Sequence, residues 1–220
     1  MNAGTTTEPR YMVSANEIDG APGTFRFSFM PRGLQQVRRI GEPPKSVPMY
    51  TVRVQDHGGE ITFEWSEAPT RAAEQEELEQ LAKECLAERY AWIARVGDLV
   101  KHVEKWSGEL GWAIRRIERK IDDPRLGNPK VDSLLMQEDT VRVLMEPVSA
   151  SAPGSDGLVD LYLMPGYDDI ANLYYREGVW HVHYVFPGSN AVAAVKAGES
   201  RPLSKKTLGA VLGEMKKHAQ

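Results

Sequence analysis

Cysteine is almost missing from this chain. Cys85 stands alone among 220 residues, which excludes an intrachain disulfide framework and suits a reducing compartment. No run of about 18 apolar residues occurs, so nothing is expected to span a membrane. The amino end, MNAGTTTEPR, has neither a basic start nor an apolar stretch and is not expected to be a signal peptide. Neither sign of charge dominates: 27 Lys plus Arg face 31 Asp plus Glu, a net of −4, which makes nucleic acid an unlikely partner for the whole surface. GxGxxG, GxxxxGK[ST], HExxH, CxxC and GxSxG are all absent, so the common dinucleotide, P-loop, zincin, zinc-ribbon and α/β-hydrolase readings lack their signatures. The expectation is a soluble, cytoplasmic, bacterial-type protein with no cofactor, leaning away from an enzyme.

The periodicities that are present predict an α+β fold of mainly antiparallel sheet. Residues 1–10 are small and polar and are expected to form a disordered tail. Residues 11–220 are expected to form one domain, sub-divided into N-terminal strands (11–66), a helical segment (67–123) and a sheet with a terminal helix (134–220). In FRFSF, Phe25, Phe27 and Phe29 alternate with Arg26 and Ser28, the period of a half-buried strand. Residues 31–48 hold PRG, GEPP and SVP, a proline-broken connection that also carries Arg32, Arg38, Arg39 and Lys45. MYTVRVQ and EITFEW flank DHGG as a hairpin, with Tyr50, Val52 and Val54 on the face of Ile61, Phe63 and Trp65.

From Pro69 apolar residues recur at helical spacing. Leu78, Leu81, Cys85, Trp92, Val96, Leu99, Val103 and Trp106 form a stripe along a long helix, with Ser66 or Thr70 as its cap. Ser107 and Glu109, followed by Leu110, Ile114, Ile117 and Ile121, read as a second helix or as a kink near Gly108, stopped by Pro124. A period of two then returns in four strands: 140–147, 158–164, 170–176 and 179–186. A final helix runs from Ser204 to about His218, with Leu208, Val211, Leu212 and Met215 on one side.

The densest stretch, LYLMPGYDDIANLYYREGVWHVHYVF, is read by register. A turn at Glu177–Gly178 sets Tyr175 against Trp180 and Leu173 against Val182, an apolar core face. A five-residue loop from Pro165 to Asp169 would set Met164 against Ile170. The polar face then carries two rows, Asp160–Tyr174–His181 and Tyr162–Asn172–His183. These six residues are the candidate binding site. His181 and His183 share a face about 6.5 to 7 Å apart, but the third ligand a metal needs is too far, so no metal is expected. Asp168 and Asp169 are expected to serve the turn, with Gly166 taking a positive φ. Cys85 reads as a buried structural thiol. Between Lys196 and Gln220 the chain is basic, which suits an acidic partner or simply a helix dipole.

Three functions remain in view, the third being nucleic-acid binding through Arg32, Arg38, Arg39 and the basic final helix. The first is a non-catalytic module that binds an unknown protein partner or associates with itself, through the polar sheet face or the helical stripe. The second is an enzyme or small-ligand binder in which His181 or His183 shuttles protons over the polar face while Asp160, Tyr162, Asn172 and Tyr174 orient the ligand. Concavity at the histidines separates them: a flat face favours the first, a cavity the second.

Overall fold

A computed structural model describes residues 10–32, 49–167, 169–186 and 200–219. Within them the fold is α+β, with two antiparallel sheets and two α-helices. The chain divides into two compact units, Met1–Glu88 with Asp122–Asn128, and Arg89–Ile121 with Pro129–Gln220. One continuous helix, α1 (Ala72–Glu109), contributes residues to both units.

The first unit holds β1 (Tyr11–Glu17), β2 (Thr24–Pro31), β3 (Tyr50–Asp56) and β4 (Ile61–Glu67), in that order across the sheet. Val52 faces Trp65 and Val54 faces Phe63, as the hairpin pattern predicts. Phe25, Phe27 and Phe29 are buried with Leu78, Ala82, Cys85 and Leu86 from the first half of α1. Each such ring or aliphatic side chain contributes on the order of 1.5–3 kcal/mol by leaving water. The start of α1 corrects the expected cap: Ser66 lies within β4, and the helix begins at Ala72, beyond Thr70.

The second unit holds β5 (Ala113–Lys120), β6 (Lys130–Glu138), β7 (Val141–Ser149), β8 (Leu158–Met164), β9 (Ile170–Arg176), β10 (Val179–His183), β11 (Ser200–Pro202) and α2 (Lys205–His218). Its seven strands run β11-β10-β9-β8-β7-β6-β5. Helix α2 starts at the Ser204–Thr207 capping box and buries Leu208, Val211, Leu212 and Met215, as predicted.

The expected second helix at Ser107–Ile121 is absent. Ser107 and Glu109 belong to α1, and residues 113–120 pair with β6 along their whole length. The reason is local. Gly111 takes φ 92°, the Trp112 N–H reaches the Ser107 carbonyl and the Gly111 N–H reaches Gly108, which is a Schellman stop. Past it, Ile114 and Ile117 have a spacing of three that suits a helix, but as β-branched residues they also suit a strand, and the ladder with β6 decides.

Candidate functional site

Two turns position the site. Glu177 (φ 50°) and Gly178 (φ 82°) both occupy the left-handed region, the geometry of a type I′ hairpin. It sets Trp180 against Tyr175, His181 against Tyr174 and His183 against Asn172, the expected register. The β8–β9 connection departs from expectation. Tyr162, not Met164, faces Ile170; Asp160 faces Asn172, and Leu158 faces Tyr174. The Leu163 N–H is instead bonded to the Asp169 carbonyl, and Tyr167, at φ 56°, donates its N–H to Leu163. Asp168 lies outside the described residues.

A shift of two residues keeps every side chain on its own face and changes only its neighbours. The rows therefore become Leu158–Tyr174–His181 and Asp160–Asn172–His183. Asp160 is buried, and its carboxylate accepts from the Tyr162 hydroxyl (2.9 Å) and from the Asn172 amide nitrogen (2.7 Å). Burial and that carboxylate together push the Tyr162 hydroxyl up to about 12. His181 and Tyr174 form a separate pair. The ring of Tyr174 lies under the Arg176 guanidinium, and the buried Nδ1 of His181 has no hydrogen-bond partner among the described residues.

A cavity of about 800 Å³ lies where β8 and β9 connect, β10 ends and α2 finishes. Asn172 and His183 line it, while Asp160 accepts from the Asn172 amide and is itself held by the Tyr162 hydroxyl. His181 and Tyr174 are not among its lining residues. The other polar walls are Asp169, Glu214 and His218, and Leu163, Ile170, Val185 and the rings of Tyr184 and Phe186 supply apolar surface. Asp169 Oδ2 accepts from the Tyr184 hydroxyl at 2.8 Å and lies 2.7 Å from His218 Nδ1. Burial first, and then Asp169, push the Tyr184 hydroxyl well above its ordinary value, so it stays protonated and donating.

No known family, curated protein or solved structure matches this chain. Sequence reasoning found Asn172 and His183 but gave Asp169 only a turn role, Tyr184 a core role and His218 the end of a helix. No periodicity links His218 to Asp169, 49 residues earlier. Among the described residues no group of three His, Cys, Asp or Glu is placed to hold a metal ion. Of the basic residues considered for nucleic acid, Arg38 and Arg39 lie outside the described residues. Cys85 is buried, and that burial pushes its thiol up to about 11, so it is protonated and unreactive at neutral pH.

Proposed function

We propose that this protein binds a small organic ligand in the cavity between the β8–β9 connection and the end of α2. The observation that carries the reading is concavity at a histidine: His183 and Asn172 line a space large enough for a metabolite-sized molecule, with polar groups along one part and apolar groups along the rest. The support beneath Asn172 is built, since Asp160, itself held by the Tyr162 hydroxyl, accepts from the Asn172 amide and fixes its orientation.

The alternative, a module engaging a protein partner or a second copy of itself, has less support. The apolar stripe that motivates it is largely internal: Leu78, Cys85, Trp92, Val96, Leu99 and Val103 are each at most 2% exposed.

A thermal-shift screen across common metabolites, nucleotides and amino acids tests the reading. A ligand present at 100 times its Kd adds about 2.7 kcal/mol of stability, a visible shift in Tm. The expected result is at least one stabilising compound whose effect disappears in His183→Ala. A hit unaffected by His183→Ala places binding elsewhere, and a silent screen over the whole panel counts against the pocket.

A further inference from the structure

Apart from the imidazoles of His183 and His218, the polar side-chain atoms left uncommitted around this cavity are hydrogen-bond acceptors. Asp160 is a carboxylate, so the nitrogen of the Asn172 amide must face it, which leaves Asn172 Oδ1 as that residue's unused group. Asp169 uses only Oδ2, for Tyr184 and His218, and its Oδ1 has no partner among the described residues. Glu214 gives Oε1 to Lys217 at 2.5 Å and leaves Oε2. Three acceptor oxygens, two of them on carboxylates, therefore come from β9, from the connection before it and from α2.

The charges agree with this inventory. No Lys or Arg is among the described residues that line the cavity. Two cations meet lining residues from outside: Lys217 pairs with Glu214, its side chain 69% exposed, and Arg201 lies over the Phe186 ring at 3.9 Å. Arg201 also shows that this aromatic surface accepts a cation. Asp169, with its side chain only 17% exposed, has no permanent cation paired with it among the described residues; His218 is charged only when protonated. A partly buried carboxylate without a fixed countercharge is an arrangement that a cationic ligand relieves.

We infer that the ligand is a small organic cation, an ammonium or guanidinium group on an apolar body, with its donors on Asp169, Glu214 and Asn172 and its body along Leu163, Ile170 and Val185. This assignment rests on the pocket reading above. Ammonium and guanidinium groups offer donors and no acceptors, the complement of those three oxygens. The apolar lining beside them suits a short hydrocarbon or aromatic tail.

The test uses three probes of similar shape, 2-phenylethylamine, 2-phenylethanol and 3-phenylpropanoate, titrated calorimetrically into the full chain at neutral pH and low salt. The amine is expected to bind at least tenfold more tightly than the other two, with Asp169→Asn removing most of that preference and Glu214→Gln reducing it a few-fold. Asn at 169 keeps an oxygen for Tyr184. Should that variant nevertheless unfold, Glu214→Gln on α2 carries the test alone, and unchanged amine preference there overturns the assignment. Preferential binding of 3-phenylpropanoate, lost in His183→Ala, overturns the cation and leaves the pocket. Failure of all three probes while the broader screen yields a His183-dependent ligand does the same. Silence in both experiments removes pocket and cation together.

Discussion

The two hairpins that share β9 differ in one respect that explains much of this protein. The β9–β10 hairpin closes through two residues, both at positive φ, and its register follows from the turn. The β8–β9 hairpin closes through a longer connection, its register is shifted by two from the shortest pairing, and the cavity lies beside it. A tight turn leaves no freedom for the pairing or for a pocket. A longer one frees Asp169 to meet Tyr184 and His218, at the cost of a register that local pattern does not specify.

The comparison can be broken most forcefully at the residue both hairpins use. Leu173 is fully buried and faces Val159 on one side and Val182 on the other. Leu173→Ala should cost about 2–5 kcal/mol, read by chemical denaturation, and both hairpins should loosen together in hydrogen exchange. Loosening of only one would mean they are not a single packed unit.

Asp160 comes next and belongs to the β8–β9 side alone. Asp160→Ala strands the Tyr162 hydroxyl and the Asn172 amide in a buried setting, a loss of about 1–3 kcal/mol. Amide protection should fall in β8 and β9 more than in β10; equal loss in all three would show the network to be global rather than local.

The same network predicts an alkaline signature. The folded-state pKa of Tyr162 is raised from 10.0 to about 12, so its contribution is complete below pH 10 and is lost as pH rises through about 12. Stability compared between pH 8 and pH 11 should therefore fall less in Tyr162→Phe than in the parent chain. An identical fall would place the alkaline loss elsewhere.

The smallest effect separates the turns themselves. Glu177 holds φ 50° with its side chain exposed, so Glu177→Gly should stabilise by about 0.5–1 kcal/mol. Tyr167 holds φ 56°, but its ring lies 5.3 Å from that of Tyr162, so Tyr167→Gly should bring no gain. Equal gains at both positions, measured as Tm, would mean that the Tyr162–Tyr167 contact contributes nothing.

The sequence by itself determined the elements whose pattern is local. Phe25, Phe27 and Phe29, the Tyr50–Trp65 hairpin, the stripe of α1, the face of α2 and the Glu177–Gly178 turn all follow from periodicity or turn chemistry acting over a few residues. It was ambiguous where two patterns fit the same residues, as at Ile114 and Ile117, where pairing with β6 overrides helical spacing. Strands β1, β6 and β11 carried too little alternation to be picked out. Tertiary structure alone decided the candidate site. Of the six residues the sequence nominated, Asn172 and His183 line the cavity, Asp160 and Tyr162 support it, and His181 and Tyr174 stand one row away. Asp169, Glu214 and His218 join it from a connection and a helix distant in sequence. A period of two assigns a residue to a face, but which residues of that face meet, and what closes over them, depends on loop length and on the docking of α2.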